Sequence, residues 1–298
     1  MVTPFASDGS LDLDAAARLA TYLVDAGNDG LVVSGTTGES PTTTDAEKEA
    51  LLRAVIEAVG DRAVVVAGSG TNDTRHAIEL SRQAEKAGAH GLLVVTPYYN
   101  RPPQEGLLEH FRAVADSTGL PVMLYDIPGR TGTAIATETL LRLAEHERIV
   151  AVKDAKCDIA ATTEVLARTD LAYYSGADEA NLAWLSIGAV GMVSVVAHVA
   201  AREYVEMVRA VDAGDLELAR TIDRRVIPAV KGIMTRAQGA IAAKTAMQLL
   251  GVIPSRTMRQ PLPTAGEELV EQLRSDLQQA GIAPADQPQP GASPSGPV

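Results

Sequence analysis

The chain has 298 residues, 46% of them hydrophobic, so it can bury one large core, and a single α/β barrel is a common solution at this size. The formal net charge of −12 at pH 7 repels nucleic acid, and no cluster of Lys and Arg offers an exception. No apolar run approaches the roughly 18 residues that span a membrane, and the start has no signal-peptide pattern, which predicts a cytoplasmic protein. The lone Cys157 excludes an internal disulfide framework and fits a reducing compartment.

Short apolar runs alternate along the chain with amphipathic stretches that are long enough for one helix each. Residues 13–26 follow Asp12, which is suited to an N-cap. Residues 46–59 follow Thr44, with Glu47 three positions later, and this is the pattern of a capping box. Residues 74–87 carry the third predicted helix. The eight predicted strands are residues 1–3, 30–34, 63–67, 91–96, 121–125, 149–153, 171–175 and 191–196.

The connections from helix to strand repeat one pattern. A glycine closes the helix and a second glycine opens the next strand, as at Gly27 and Gly30 and again at Gly88 and Gly91. Repetition of one connector predicts a repeated βα unit, and eight such units closing on themselves make a (β/α)8 barrel of the TIM type. An open doubly wound sheet is the alternative. It is less favoured because no break in composition marks a topological switch point.

Three helices are predicted after the barrel, at residues 215–226, 237–250 and 267–280. The predicted domains are therefore a catalytic barrel at residues 1–213 and a C-terminal helical subdomain at residues 214–281. From residue 282 onward the composition turns to Pro, Gly, Ser, Gln and Asp, which leaves little to bury. We expect a disordered tail at residues 282–298.

In such a barrel the chemistry lies where strands end and the next loops begin. A buried strand ends at Lys153, and a lysine partly stripped of water there favours the neutral amine that forms a Schiff base. Tyr99 and Tyr125 are phenols that can pass protons, and the loop at 34–40 offers hydroxyls and amides suited to a carboxylate. Taken singly, each residue has a simpler interpretation. Lys153 could be the first solvated residue after a strand, and Arg130 could belong to a surface ion pair.

Other chemistries find little support in the sequence. The segment GSG at 68–70 begins like a dinucleotide-binding fingerprint, but Asp73 stands at the third glycine position. The histidines show no metal-binding spacing and no carboxylate cluster accompanies them, so we expect neither a metal nor a cofactor. The lack of a Gly-x-Ser-x-Gly elbow weakens the interpretation as a serine hydrolase.

Four segments at the predicted strand ends occur in a specific order and spacing. They are GTTGE at 35–39, TPYYN at 96–100, YDIPGRTG at 125–132 and VKD at 152–154. In both respects they resemble the dihydrodipicolinate synthase (4-hydroxy-tetrahydrodipicolinate synthase) family, and the resemblance covers nearly the whole chain. It implies a class I aldolase-like reaction in lysine and diaminopimelate biosynthesis, which condenses pyruvate with aspartate 4-semialdehyde.

The resemblance implies a role for each matching residue. Lys153 would form the imine with pyruvate. Tyr125 would donate and accept protons, linked by hydrogen bonds to Thr36 and Tyr99. Tyr99 would come from the neighbouring subunit of a homotetramer built as a dimer of dimers. Thr37 would hold the pyruvate carboxylate through its hydroxyl and backbone amide.

Three more residues match the family. Arg130 would bind the carboxylate of the semialdehyde, for which a planar guanidinium is suited because it can bind bidentately. Val193 and Gly176 match positions that contribute backbone carbonyls. Arg130 also favours this activity over that of sialic acid lyase relatives, which must accept a sugar. An aldolase acting on a sugar-derived 2-keto acid and a catalytically silent barrel are the alternatives.

Two departures from the family lead to further expectations. Only Met1 and Val2 precede the Thr-Pro-Phe segment, where members usually have several residues, so we expect a short first strand and a truncated or misassigned start. In members that lysine inhibits, an allosteric cleft tends to carry histidine and glutamate where this chain has Lys48 and His76. A lysine side chain repels a cationic ligand, which predicts weak or absent feedback inhibition by lysine.

Overall fold

The structure, a computed structural model, describes residues 1–282 of the chain. Within these residues, seven parallel strands form one sheet in which each strand pairs with the next one along the chain. This sequential order excludes the doubly wound alternative and brings the carboxyl ends of the strands to one mouth. The strands are β1 (Gly30–Val33), β2 (Val64–Gly68), β3 (Gly91–Val95), β4 (Val122–Asp126), β5 (Ile149–Asp154), β6 (Ala172–Ser175) and β7 (Gly191–Met192).

Helices connect the strands and cover the outer face of the sheet. Each longer helix buries one apolar stripe, as α1 does with Leu19 and Leu23, and leaves its polar side in water. The helices of the barrel are α1 (Leu13–Asp25), α2 (Asp45–Val59), α3 (Thr74–Ala87), α4 (Gln104–Asp116), α5 (Pro128–Thr131), α6 (Thr137–Leu143), α7 (Ile159–Arg168), α8 (Asn181–Ser186) and α9 (Ala197–Asp212).

The predicted signals at helix ends are confirmed. The side chain of Asp12 accepts a hydrogen bond from the backbone N–H of Ala15 at 2.9 Å, and Thr44 and Glu47 form the reciprocal capping box of α2. Gly88 closes α3 with a φ of 93°, a conformation that residues with a Cβ rarely adopt. These local signals determine where α1, α2 and α3 begin or end.

The predicted strand at residues 1–3 is wrong. Val2 is fully buried, but within the described residues the segment makes one backbone hydrogen bond to β1, from the Met1 amine to the carbonyl of Val32 at 2.5 Å. The N–H of Val2 donates instead to Nε2 of His198 on α9, at 3.0 Å. One backbone bond does not make a ladder. The segment therefore lies beside β1 without joining the sheet.

The other predicted strands are confirmed, with one difference in length. Six of them agree with the structure to within one residue at each end, whereas the last, predicted over residues 191–196, ends at Met192. The N–H of Val193 still donates to the carbonyl of Ser175 at 2.8 Å. The chain then leaves the sheet, because the carboxylate of Asp178 accepts hydrogen bonds from the N–H groups of Val195 and Val196, at 2.8 and 3.1 Å.

Three helices follow the barrel: α10 (Leu216–Thr235), α11 (Gly239–Leu249) and α12 (Glu267–Gln279). The helix predicted for residues 215–226 continues through Pro228, because Val226 and Ile233 on either side of the proline are both buried. The division at residues 213 and 214 stays a prediction, and residues 283–298 of the predicted tail lie outside the described residues. No helix between residues 1 and 282 combines the length and apolar character needed to cross a membrane.

Candidate active site

A cavity of about 720 Å³ includes the mouth formed by the strand ends. It continues inward between β1 and α9, so the mouth is only part of this volume. Tyr99 is the predicted site residue that does not line the cavity in the described part of the chain. The predicted site residues that do line it are Thr36, Thr37, Tyr125, Arg130, Lys153, Gly176 and Val193.

Lys153 lies at the carboxyl end of β5 and is only 9% exposed. The register of β4 and β5 places it opposite Tyr125, and its Nζ lies 4.2 Å from the centroid of the Tyr125 ring. The sheet thus brings an amine and a phenol to one point. Both are within reach of a single small substrate.

Gly176, directly after β6, leaves room for the Lys153 side chain. A Cβ at this position would lie 3.0 Å from Cγ and 3.1 Å from Cε of Lys153, and 3.0 Å from the carbonyl oxygen of Asp154. These distances are shorter than ordinary van der Waals contacts. Gly176 therefore helps to determine where the amine lies, because any side chain here would push the lysine aside.

The turn after β1 offers backbone amides to an anion. Its shape is set by the N–H of Gly38, which donates to the carbonyl of Gly35 at 3.0 Å, and by the N–H of Glu39, which donates to the carbonyl of Thr36 at 3.1 Å. The N–H groups of Thr36 and Thr37 donate to no acceptor within residues 1–282. Adjacent free amides beside two hydroxyls are suited to a carboxylate. The role of Thr37 stays a prediction.

Both ends of this turn carry backbone strain. Ser34 and Glu39 have φ angles of 57° and 55°, in the left-handed region. A residue with a side chain held there costs on the order of 1–3 kcal/mol, and the conformation persists only where surrounding contacts impose it. For Glu39 those contacts come from Lys244 and from the N–H of Arg259.

The two predicted tyrosines occupy different environments. The carbonyl of Tyr125 accepts hydrogen bonds from the N–H and hydroxyl of Thr96 at 3.0 Å, but within residues 1–282 its phenol binds neither Thr36 nor Tyr99. Tyr99 is 89% exposed, with a φ of 74° in the loop after β3. An exposed ring of this kind fits a residue that enters a neighbouring subunit's site. That role stays a prediction.

Arg130 lies on α5, directly after β4, and is exposed at the rim of the cavity. The loop after it is held by the hydroxyl of Thr131, which donates to the carbonyl of Thr133 at 2.9 Å, and by Arg101, which donates to the carbonyl of Gly132 at 2.9 Å. The guanidinium of Arg130 makes no ion pair within the described residues, so its planar group is open to a carboxylate.

The buried histidines have structural partners. Nε2 of His198 accepts from the N–H of Val2, and Nδ1 of His110 shares a hydrogen bond with the hydroxyl of Thr74 at 2.9 Å. Burial lowers the pKa of His110 to about 4 and that of His198 to about 3. Between residues 1 and 282 there is no group of three or more His, Cys, Asp or Glu residues arranged to hold a metal ion.

Comparison with known proteins agrees with this geometry. Residues 1–280 match the model of the dihydrodipicolinate synthetase family. The chain belongs to this family.

Named relatives within the dihydrodipicolinate synthetase family cover almost all of the chain. A 4-hydroxy-tetrahydrodipicolinate synthase of Kineococcus radiotolerans is 66% identical over 285 residues, covering 96% of this chain and 92% of the relative. The crystal structure of a dihydrodipicolinate synthase from Bacillus anthracis matches with a TM-score of 0.90 at 41% identity. The match covers 93% of this chain and 95% of the Bacillus anthracis chain. DHDPS from Cyanidioschyzon merolae with lysine bound has a TM-score of 0.91 at 41% identity, with coverage of 94% and 96%. The predicted TIM barrel with a C-terminal helical region is thereby confirmed.

Two buried carboxylates beneath the mouth of this dihydrodipicolinate synthetase family member were not predicted from the sequence. Asp126 and Asp154 directly follow Tyr125 and Lys153 and lie opposite each other in the register of β4 and β5. Burial raises the pKa of both, that of Asp126 to about 6, and the ammonium of Lys156, 3.3 Å from Asp126, opposes this shift. An acidic residue directly after Tyr125 and another directly after Lys153 were the signal that could have revealed them.

A third buried carboxylate shapes the loop after β7. Asp178 accepts hydrogen bonds from the hydroxyl of Ser194 and from the N–H groups of Val195 and Val196. Burial raises the pKa of Asp178, and these hydrogen bonds oppose the shift. Asp178 therefore fixes the loop that follows Val193. No local pattern in the sequence links position 178 to this loop.

Proposed function

We propose that this chain is a cytoplasmic, Schiff-base-forming lyase that condenses pyruvate with L-aspartate 4-semialdehyde. This is the activity of a 4-hydroxy-tetrahydrodipicolinate synthase in lysine and diaminopimelate biosynthesis. The observation that carries the proposal is the position of Lys153, which is 9% exposed at the end of β5 with its Nζ 4.2 Å from the ring centroid of Tyr125. The name of a relative at 66% identity supports the same activity.

The reaction begins at Lys153. Its neutral amine attacks the C2 ketone of pyruvate, and loss of water leaves an imine at Nζ. The turn at Thr36 and Thr37 lines the same cavity and would hold the pyruvate carboxylate through its free amides and hydroxyls. A ketone beside a carboxylate needs an amine and an anion site only a few ångströms apart, and this cavity contains both.

The imine makes the methyl group of pyruvate acidic, because the electrons released with the proton are delocalised onto nitrogen. Loss of the proton gives an enamine whose carbon attacks the aldehyde of the semialdehyde, and the aldehyde oxygen takes up a proton to become a hydroxyl. Tyr125, beside Nζ, is the group placed to carry these protons. Attack of the second substrate's amine on C2 then closes the ring and releases Lys153.

The second substrate brings its own carboxylate to the rim of the cavity. Arg130 is exposed there, and its guanidinium can bind a carboxylate through two parallel hydrogen bonds. An uncharged sugar offers no such group. Arg130 is therefore the residue that favours aspartate 4-semialdehyde over a sugar as the acceptor.

The proposed assembly is a homotetramer, a dimer of dimers, in which Tyr99 of one subunit completes the site of its neighbour. The 89% exposure of Tyr99 supports this arrangement, because a ring that stays in water contributes little to its own subunit. Dilution below the dissociation constant of the dimer should lower specific activity as monomer appears in sedimentation. A fully active monomer would exclude this role for Tyr99.

Pyruvate consumption by the purified protein tests the proposed pair of substrates. We expect consumption with aspartate 4-semialdehyde and none with N-acetylmannosamine. Consumption with N-acetylmannosamine alone would assign the chain to the aldolases of sugar-derived keto acids. Consumption with neither, by a folded protein, would contradict the proposal and leave a silent barrel.

A further inference from the structure

A buried ion pair joins the C-terminal helices to the turn after β1. Lys244 lies on α11 and Glu39 at the end of the turn. Their side chains are 0% and 1% exposed, and Nζ of Lys244 donates to the Glu39 carboxylate. The two residues are 205 positions apart in the sequence. Because an isolated charge is costly to bury, each of these charges depends on the other.

Both members of the pair make further hydrogen bonds. Nζ of Lys244 also donates to the carbonyl of Thr257 at 2.9 Å, and the N–H of Arg259 donates to the second oxygen of Glu39 at 3.0 Å. The ammonium of Lys244 and the guanidinium of Arg259 each lie 4.3 Å from the ring centroid of Phe5. Burial lowers the pKa of Lys244, and the Glu39 carboxylate opposes this shift.

The side chain of Arg259 extends the contact to segments outside the turn. Its guanidinium donates to the carbonyl of Thr42 at 2.8 Å, to the carbonyl of Gly9 at 2.9 Å and to the carboxylate of Glu47 at 2.6 Å. The C-terminal region thus holds Glu39 at the end of the turn and Thr42 three residues further on. Residues 35–38 of the turn line the cavity.

Glu39 is two residues from Thr37 and has a left-handed backbone with a φ of 55°. We propose that Lys244 is a positioning residue: through Glu39 it holds the turn at Thr36 and Thr37 in the shape that receives the pyruvate carboxylate. The C-terminal helices then form part of the active-site architecture as well as covering the barrel. This inference rests on the proposed function, because it assumes that pyruvate binds at the turn.

Three variants test this role. Lys244→Met removes one charge at similar length, Glu39→Gln removes the other, and the double variant removes both. Each single variant leaves an unmatched polar partner in the interior and should melt at a lower temperature, whereas the double variant should recover much of the loss. We expect KM for pyruvate to rise about tenfold in all three. Misplacing a group by 1 Å can cost on the order of 100-fold, and the turn should shift by less than that.

The double variant separates positioning from folding. A recovered melting temperature with a KM for pyruvate that stays about tenfold high, and kcat within about threefold of wild type, would support the role. A folded variant of the set with KM within about twofold of wild type would overturn it. If Lys244→Met does not fold, Glu39→Gln and the double variant give the same comparison.

Arg236→Met is a matched control. Arg236 donates to Asp276 at 2.9 Å, in an ion pair between the end of α10 and α12 that does not touch the turn. We expect a lower melting temperature and an unchanged KM. Borohydride trapping of pyruvate on the wild type separates the two ideas. No trapping there would refute the proposed function, whereas trapping there with an unchanged KM in the variants would overturn only the role of Lys244.

Discussion

Substitution of Gly176 by alanine would test how closely the sheet holds the side chain of Lys153, the proposed Schiff-base residue. The new Cβ would lie 3.0 Å from Cγ and 3.1 Å from Cε of Lys153, so the neighbours must give by a few tenths of an ångström. The backbone accepts alanine, because Gly176 is not among the glycines with positive φ. The carbonyl oxygen of Asp154, also 3.0 Å away, is part of β5 and moves less easily. The flexible lysine side chain should therefore take up most of the strain.

Overpacking of this kind costs about 1–3 kcal/mol. If that energy displaces the amine from its reactive position, kcat/KM for pyruvate falls by about 5- to 150-fold. The assay is steady-state kinetics together with the rate at which borohydride traps the imine. Gly266→Ala is the control, because a Cβ there meets no atom of residues 1–282 within 4 Å. A folded Gly176→Ala enzyme with kcat/KM and trapping rate within about twofold of wild type would refute the reasoning.

Three further perturbations have expected outcomes. Arg130→Ala should raise KM for aspartate 4-semialdehyde by about 10- to 150-fold, because a charge-assisted contact contributes about 1.5–3 kcal/mol. It should leave borohydride trapping of pyruvate unchanged, and an equal loss of trapping would contradict the role of Arg130. Hydrogen bonds from Arg259 lower the pKa of Glu47 from 4.5 to about 2, so this carboxylate stabilises the fold above pH 4.5 and loses that contribution as the pH falls toward 2. Glu47→Gln should therefore lower the free energy of unfolding in urea by about 1–2 kcal/mol at pH 7, less than the full shift implies because Glu47 is 26% exposed. The loss should shrink at pH 3, and a loss that does not depend on pH would exclude this cause. Lysine should inhibit weakly or not at all, because the ammonium of Lys48 repels a cationic ligand; strong inhibition by micromolar lysine in a steady-state assay would contradict this expectation.

Much of the barrel could be predicted because its signals are local. The capping box at Thr44 and Glu47 and the left-handed Gly88 each act within a few residues, and the structure confirms them. Six strands could be predicted to within one residue at each end, because each is an apolar run that ends near a polar residue or a loop. The family resemblance is confirmed by the match over residues 1–280.

The errors arose where a distant contact decides the local structure. Residues 1–3 read as an apolar strand, yet the N–H of Val2 finds a side-chain acceptor in His198, 196 positions away. The prediction for β7 is too long because the N–H groups of Val195 and Val196 donate to the carboxylate of Asp178 and not to a neighbouring strand. Neither partner has a recognisable spacing from the segment it binds.

The candidate site likewise contains residues that local patterns predict and a pair that they do not. Lys153 and Tyr125 could be predicted because both stand at the ends of apolar strands, and the register of β4 and β5 then places them opposite each other. The pairing of Lys244 with Glu39 could not, because the two residues are separated by most of the chain and each belongs to an ordinary pattern locally. Only the folded structure brings them together.

Borohydride reduction in the presence of pyruvate, followed by mass spectrometry of the peptides, is the most direct test of Lys153 as the Schiff-base residue. We expect a pyruvate-derived adduct on Lys153 in the wild type, and no adduct in a folded Lys153→Ala variant, which should also lose synthase activity. An adduct on a different lysine, or an active wild-type enzyme that cannot be trapped, would contradict the proposed mechanism.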